Sequence, residues 1–565
     1  MIISNMSFKT FIIGLDSESR QWLAQLAKKD VIRMAVIRDW SGFFMAALAT
    51  VAMLLLAFVI RRKRKSLLQL PLPPGPRGWP ILGILPLLGT LPHQSLYKMS
   101  KKYGPLMYLK LGSVPAIVVS SPKLAEKILR THDSIMSSRP VQIVGDHLSY
   151  GGIDVVMSPS GETWRYKRRI CSNGLLTPVR IAQFKEVRRQ EVMEGLHFIL
   201  EESQKGNPVD MAKFFAIVSV NNITQMMMNK SYCIRRSSSS AAAQATMSTL
   251  QEIFQEVIVL FGSFNLADYV PLVRPFDLQG FNKRVKVVRQ KLSDFLSKVI
   301  EEHRQKLHIE SQEDYKEDFV DALIGLGETK EFQHRLSMDT IKAMLGDMLA
   351  GASDTTAVVS QWTLTELMRH PHAMKRVQQE LDSVIGPNRL VQEEDIPDLK
   401  YLQAVIKEGF RLHPPGPLLI PHESTEDCEI EGFHVPAKSM IFVNQWAIQR
   451  DPAFWERPEE FDPERFVNSD IDLKGQNFQY LPFGAGRRMC PGWNLGLLMV
   501  TYPLATLLHA VDFSPSEGEK PEELDISETF GLVLYKKFPL KVFGKARLPT
   551  HVIYPDKKRV QNGAY

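Results

Sequence analysis

The segment Pro482-Phe483-Gly484-Ala485-Gly486-Arg487-Arg488-Met489-Cys490-Pro491-Gly492 sets one cysteine between a glycine-rich loop and an apolar stretch. Glycine has no Cβ, so Gly484, Gly486 and Gly492 let the backbone turn tightly and lie close against a flat ligand. Pro491 suits a first helical position, and Leu495, Leu497, Leu498, Met499 and Val500 read as a buried helix. The Cys490 sulfur is therefore expected near a helix N-terminus, whose partial positive charge favours thiolate over thiol. A thiolate binds a soft metal or the iron of a haem. An isolated cysteine is more often a buried structural residue; here the loop around it argues for a ligand.

Phe483, Gly486, Arg488, Cys490 and Gly492 together match FxxGxRxCxG at all five fixed positions. The segment thereby resembles the haem-binding signature of the cytochrome P-450 family. The resemblance implies haem b with Cys490 as its axial thiolate, Phe483, Gly486 and Gly492 shaping the loop, and Arg488 on a haem propionate.

Two more groupings have spacings that suit chemistry. Trp164 and Arg168 lie four residues apart, on one helix face, and present an indole and a guanidinium to an anionic carboxylate. They resemble the family's WxxxR motif, which implies propionate contacts for both; Arg165, Lys167 and Arg169 are assigned to the surface. In the second grouping, Asp354-Thr355 stands beside Gly351 and Ala352 within a helical pattern from Met338 to Arg369, with Ser337 or Asp339 as cap. Asp and Thr are mediocre helix formers, so their presence mid-helix needs a reason.

Cleaving dioxygen on a thiolate haem requires protons, which a hydroxyl and a neighbouring carboxylate relay through water. Asp354 and Thr355 resemble the family's acid-alcohol pair, and Thr355 is expected to bond a carbonyl in the preceding turn and open a groove. Most relatives carry glycine two residues before the acid; here that place is Ala352, with Gly351 one earlier. Without the cysteine motif, a polar helix face would be the better reading of this pair.

The elements that must hold these groups follow. Asp398 is expected to begin a helix, with Leu399, Leu402, Val405 and Ile406 at helical spacing, that ends at His413-Pro414-Pro415. Glu408 and Arg411 share its face as a bidentate pair. With Arg465 of Pro463-Glu464-Arg465-Phe466 they resemble the family's structural ExxR and PERF triad. Gly409, where relatives usually have a hydroxyl or small branched residue, costs roughly 1 kcal/mol inside a helix and has no functional reading. Pro417 to His422 is expected to pass the haem in extended form, with His422 a propionate contact or a surface histidine. Residues 105–120 read as two strands around Gly112-Ser113-Val114-Pro115.

Trp40 to Ile60 is 21 residues without a charge, long enough to cross a bilayer, and Arg61-Arg62-Lys63-Arg64-Lys65 follows at once. The positive-inside rule keeps that cluster and the chain beyond it cytosolic. A cleaved signal peptide is the alternative, disfavoured by the length of the run and the polybasic stop. Residues 1–33 have no counterpart in the resembled family, and Asp16, Glu18 and Asp30 argue against a transit peptide; Met34 is an alternative start. Pro71-Leu72-Pro73-Pro74-Gly75-Pro76 is a stiff spacer. Ser237 to Ser240 and Ala241 to Ala243 form a flexible loop.

The 565 residues carry four cysteines, Cys171, Cys233, Cys428 and Cys490, with no CxxC, which argues against a disulfide framework or a structural zinc site. A net charge of +7, spread along the chain, weakly supports an anionic membrane surface or an acidic protein partner, and nucleic acid is discarded. The domain reading is an extension (1–39), a single transmembrane anchor (40–60), a basic stop and hinge (61–80), a catalytic domain (81–548) and a tail (549–565).

The resemblance spans roughly residues 70–548 and implies the cytochrome P-450 fold, mainly α with small β-sheets, of the microsomal class and most like plant biosynthetic members. It implies insertion of one oxygen atom from O2 into a lipophilic or aromatic small molecule in plant secondary metabolism. Electrons would come from NADPH through a membrane-bound reductase carrying FAD and FMN, at the endoplasmic reticulum. By family position the pocket takes in parts of Val144 to Val156, Met344, Met348 and Ala352, Leu418, Leu419 and Ile420, and Phe530 to Val533 including Leu532. An apolar lining is the default for small-molecule sites and does not choose among phenolic, flavonoid, terpenoid and fatty-acyl substrates. The rivals are a haem-thiolate isomerase or dehydratase acting on a peroxide, which has little use for Asp354-Thr355, and a membrane-tethered haem-binding protein without catalysis.

Overall fold

The computed structural model describes residues 17–18, 21, 50–53, 55, 70–231, 252–253, 256–257, 259–307, 317–328, 336–531 and 533–555. Most of the apolar run 40–60, the basic run 61–65, the loop 237–243, Cys233, Leu532 and the end of the tail lie outside the described residues. Among the described residues no helix is long and apolar enough to cross a membrane. Two compact units are present, Met1–Pro71 and Leu72–Tyr565. In the first, Thr50–Met53 and Leu55 are helical.

The second unit is mainly helical, with small sheets. Its axis is a central helix, Met338–Arg369. Ser337 Oγ accepts the Thr340 amide at 3.1 Å and so satisfies one of the free amides of the first turn. The helix packs most extensively against Met211–Met228, which it meets through a Ser219–Thr356 hydroxyl contact of 2.9 Å, and next against the cysteine helix, Trp493–Ala510. The first half of the central helix, with Ile341, Met344, Leu345 and Leu349, lies in one apolar core. Its second half, with Ala357, Val359, Leu364 and Leu367, lies in another. The change of core falls at Gly351–Thr355, where Gly351 is exposed, Ala352, Asp354 and Thr355 are half-buried and Ser353 is buried. The helix thus carries one polar turn, open at Gly351, between two apolar halves.

The ion-pair helix, Lys400–Leu412, follows a short 3-10 turn at Glu393–Asp398, so it starts two residues after the expected Asp398. Its Gly409 has a packing reason: a Cβ there would stand 2.3 Å from Thr363 Oγ1 of the central helix. The absent side chain lets the two helices touch, which offsets the helix-propensity cost.

The expected strand pair is Leu106–Leu111 and Val114–Val119, antiparallel from Leu106↔Val119 to Leu111↔Val114. Val114 and Pro115 belong to the second strand rather than to the turn. That strand pairs in parallel with Met440–Val443 only from Ala116 onward, so the missing amide of Pro115 leaves no gap there. His422–Glu423 completes the sheet, with His422 opposite Ile441. A second hairpin, Glu528–Phe530 with Leu534–Lys536, lies against the central helix: Trp362 Nε1 donates to the Leu534 carbonyl at 2.9 Å.

Candidate active site

The cysteine loop is folded by its own main chain. The Cys490 amide donates to the Phe483 carbonyl at 2.9 Å and the Gly484 amide to the Leu481 carbonyl at 2.9 Å. Gly484 and Gly486 both adopt left-handed backbone, φ +70° and +69°, which glycine reaches without strain. A Cβ on Gly486 would lie 2.0 Å from the Leu129 carbonyl oxygen, so close packing also requires glycine there. Gly492 has ordinary φ, and a Cβ on it would sit 4.0 Å from Cys490 Sγ. The Phe483 ring packs 5.2 Å from Phe410 and against Gly496.

Two expectations about Cys490 are corrected. The helix begins at Trp493 with Gly492 as its cap, so Pro491 precedes the helix instead of opening it. Burial pushes the Cys490 thiol up, and the Gly492 amide and Arg168 only partly oppose this. Desolvation by burial outweighs both of these contributions.

Three guanidinium groups gather nearby, and among the described residues none of them forms an ion pair. Arg488 Nε donates to the Ser137 carbonyl at 2.7 Å and Nη2 to the Ser158 carbonyl at 2.6 Å. Arg139 gives Nη1 to the carbonyls of Ile420 and Pro421, 2.8 Å each, and Nε to that of Val156 at 3.0 Å. Arg168 Nη2 donates to the Met489 carbonyl. Burial lowers the pKa of all three, and Arg488 opposes Arg139 while Arg168 opposes both. Three largely buried cations hydrogen-bonded to carbonyls, with Asp154 and Asp133 near but not paired to them, fit a polyanionic ligand, and Cys490 Sγ with its glycine cradle fits a flat metal cofactor. The residues present thus suit a haem whose two carboxylates meet these guanidiniums.

Trp164 is buried, but its Nε1 donates to the Val155 carbonyl at 3.0 Å, and its ring lies under Arg488, whose guanidinium carbon is 4.0 Å from the centroid. The structure thus places Trp164 as a platform for Arg488. His422 Nδ1 donates to the Met136 carbonyl at 3.0 Å, leaving Nε2 without a protein partner among the described residues. Burial, with Arg139 and Arg488 adding repulsion, holds its pKa well below the usual value, so the ring is neutral.

On the central helix Thr355 Oγ1 donates to the Gly351 carbonyl at 2.7 Å, in the preceding turn as expected. A Cβ on Gly351 would meet nothing within 4 Å, so this side is open, while Ala352 is half-buried and its carbonyl accepts from Thr356 at 3.1 Å. The open place in this turn is therefore at Gly351 rather than at Ala352. Asp354 has its pKa raised by burial, opposed by the Tyr535 hydroxyl.

Glu408 and Arg411 are both fully buried and bidentate, Nε to Oε2 at 2.6 Å and Nη2 to Oε1 at 2.8 Å. Arg465 Nε joins Glu408 Oε1 at 3.1 Å, and the Asp462 amide joins it at 2.8 Å. Arg411 also holds the carbonyls of Gln449, Pro458 and Glu460. The cluster fastens one helix to the chain around the PERF turn.

Of the pocket residues, Met344 has no accessible surface and is a core residue, a correction to its expected place in the lining. Met348, one turn on, is half-buried against the same core as Ala352. Leu418 is buried, Leu419 half-buried with φ +53°, and Ile420 43% exposed. Leu532 lies outside the described residues.

Sequence reasoning missed several residues. Lys167, assigned to the surface, is buried, with Nζ on the Ile153 carbonyl at 2.7 Å and on Ser158 Oγ at 3.0 Å. Its position three residues after Trp164 on the same helix face was the available signal. Asp347 Oδ2 accepts the amides of Val155 and Val156 at 2.7 and 3.2 Å and so ties that loop to the central helix. Burial and the neighbouring Asp154 carboxylate raise the Asp347 pKa well above the usual range. Arg139 and Tyr535 carried no local signal.

The cytochrome P-450 family model matches residues 73–542. The chain belongs to the cytochrome P-450 family. A flavonoid 3',5'-hydroxylase from Campanula medium is 40% identical over 487 residues, covering 85% of this chain and 92% of that protein. A flavonoid 3'-monooxygenase from Petunia hybrida is 37% identical over 500 residues, covering 87% of this chain and 96% of that protein. Among solved structures, a zebra fish cytochrome P-450 with abiraterone superposes with a TM-score of 0.66 at 25% identity, covering 81% of this chain and 100% of that one. This chain is a cytochrome P-450 monooxygenase, and the family cofactor is haem with a cysteine thiolate ligand.

Proposed function

We propose that this monooxygenase hydroxylates a flavonoid or a closely related phenolic of plant secondary metabolism, with electrons from NADPH through a separate FAD- and FMN-containing reductase. The observation that carries the reading is Cys490 on its glycine cradle, beside the guanidiniums of Arg139, Arg168 and Arg488, which form no ion pair among the described residues and rest on carbonyls. The substrate class is supported by the flavonoid hydroxylases and monooxygenases among the similar proteins.

In this reading Cys490 Sγ would ligate the haem iron and Arg139, Arg168 and Arg488 would hold the carboxylates of the cofactor, while His422, neutral with its proton on Nδ1, offers Nε2 only as an acceptor, which corrects its expected place as a propionate contact. Phe483, Gly486 and Gly492 keep the loop flat. When bound, haem supplies dioxygen activation. Thr355 Oγ1 and Asp354 hold and pass protons through water admitted at the open side of Gly351. Glu408, Arg411 and Arg465 hold the surrounding chain. Met348, Ala352, Leu418, Leu419 and Ile420 meet the substrate ring, with Leu532 assigned there by family position.

The apolar run Trp40 to Ile60 and the basic run after it support a single anchor in the endoplasmic reticulum membrane with the catalytic unit cytosolic. Residues 81–548 are the catalytic domain of this reading and 549–565 its tail. Exposed Arg165, Arg169 and Arg487, next to Arg168, suit an acidic electron-donating protein.

The test is the reduced, carbon-monoxide-bound difference spectrum of membranes holding the chain, beside Cys490→Ser, followed by incubation with flavonoids, NADPH and reductase. A far-red Soret band lost in the variant and a product with one added oxygen atom are expected. A band without any oxygenated flavonoid or phenolic would overturn the substrate class.

A further inference from the structure

The Tyr535 hydroxyl donates to Asp354 Oδ2 at 2.6 Å, across 181 residues of sequence. It is the one hydrogen bond recorded for that carboxyl among the described residues, and no Lys, Arg or His forms an ion pair with it. A buried acid with no cation nearby is held by its donor or not at all.

The phenol has little freedom. Its ring packs with Val358, Trp362 and Val533 and fills the space over Gly531, where a Cβ would come within 3.0 Å of Tyr535 Cε2. The strand that carries it is fixed to the central helix by the Trp362 indole on the Leu534 carbonyl. Its partner strand is fixed through Glu528, whose carboxylate takes His93 Nε2 at 3.0 Å, Gln94 Nε2 at 2.7 Å and Trp446 Nε1 at 3.2 Å. The hydroxyl is thus delivered to Asp354 by a hairpin anchored at both strands.

We propose that Tyr535 is the positioning residue of the Asp354 carboxyl: it holds Oδ2, leaves Oδ1 to water, and keeps the acid able to lose and regain its proton. This rests on the reading of Asp354 and Thr355 as the proton-delivering pair. Burial drives Asp354 towards its neutral form, and a short hydrogen bond to the anion pulls the other way. Burial and the Asp354 charge push the Tyr535 hydroxyl far up, so it stays a donor. Asp354 Oδ1 therefore exchanges the proton with water, and Tyr535 keeps its own throughout. Because Phe530 to Val533 join the two strands, the same hairpin links the acid to the segment expected to line the pocket.

The experiment uses the full chain in membranes or detergent and compares Tyr535→Phe, Asp354→Asn and the double variant. Three quantities are read: the carbon-monoxide band, the infrared titration of the Asp354 carboxyl in the resting protein, and the share of NADPH electrons found in product rather than peroxide. Tyr535→Phe should keep the band, make Asp354 about a ten-fold weaker acid or more, and lower coupling several-fold. In the Asp354→Asn background, Tyr535→Phe should add nothing. An unchanged carboxyl titration in Tyr535→Phe, or losses of coupling that multiply independently in the double variant, would overturn the proposal. If Asp354→Asn alone leaves coupling intact, the proton-delivery reading fails, and the infrared titration still decides whether Tyr535 governs the carboxyl. Should Tyr535→Phe fail to fold, a fluorotyrosine at 535 keeps ring and hydroxyl and makes the phenol more acidic. Asp354 should then become a stronger acid, and no change would count against the proposal.

Discussion

Gly409 and Thr363 touch where two helices cross, at a distance that leaves no room for a methyl group: a Cβ on Gly409 would stand 2.3 Å from Thr363 Oγ1 and 3.3 Å from Thr363 Cβ. Gly409→Ala gains helix propensity worth about 1 kcal/mol, yet overpacking typically costs about 1–3 kcal/mol. The expected result is a lowered midpoint of thermal unfolding. Thr363→Ala in the same chain, which removes the nearest atom, should recover part of it. A Gly409→Ala protein more stable than the parent would contradict the packing account.

The Glu408 carboxylate faces two guanidiniums in a site closed to water. Glu408→Ala would leave Arg411 buried and unpaired, a change that costs about 3–5 kcal/mol. Folded protein carrying haem should fall sharply in yield, whereas Glu408→Asp should retain more. The measurement is haem content per polypeptide after expression at equal temperature.

Among the described residues Thr355 Oγ1 makes one hydrogen bond, a local one to the Gly351 carbonyl. Thr355→Ala should therefore keep haem content and thermal stability while diverting reducing equivalents from product to peroxide. Peroxide and product counted per NADPH consumed check this, and unchanged coupling would remove Thr355 from proton delivery.

Glu528 gives the protein an acid-sensitive joint. Burial alone would raise its pKa, but the hydrogen bond and charge of His93, with Arg450 and His413 behind, bring it from 4.5 down to about 2. A carboxyl whose folded pKa is depressed contributes stability above its unfolded pKa and loses it as pH falls through the folded value. Unfolding free energy should therefore decline between pH 4.5 and about 2. Glu528→Gln should be less stable at neutral pH, by on the order of 2–3 kcal/mol, and flatter across that window. Chemical denaturation at several pH values is the check.

Local patterns in the chain reached far into this fold. Ser337 as cap and Arg369 as last residue of the central helix follow from capping chemistry and apolar spacing, both of which act within a few residues. Glu408 and Arg411 were legible for the same reason: a separation of three residues on a helix fixes their meeting. The start of the cysteine helix was less so, since whether Pro491 opens it depends on how Gly492 turns beneath Cys490.

The sequence by itself determined the family, the glycine-rich loop around Cys490, the adjacency of Asp354 and Thr355 and the helix that carries them, because each is written in residue types a few positions apart. Tertiary structure alone decided which groups act on them. Tyr535 reaches Asp354 across 181 residues, and Arg139 shares a site with Arg488 and His422. Asp347 holds a loop 191 residues distant. Burial, too, was decided there: it buried Lys167, neutralised His422 and raised the Cys490 thiol that a helix terminus was expected to lower. The physical reason is that desolvation depends on every neighbour at once, and those neighbours come together only when distant segments pack.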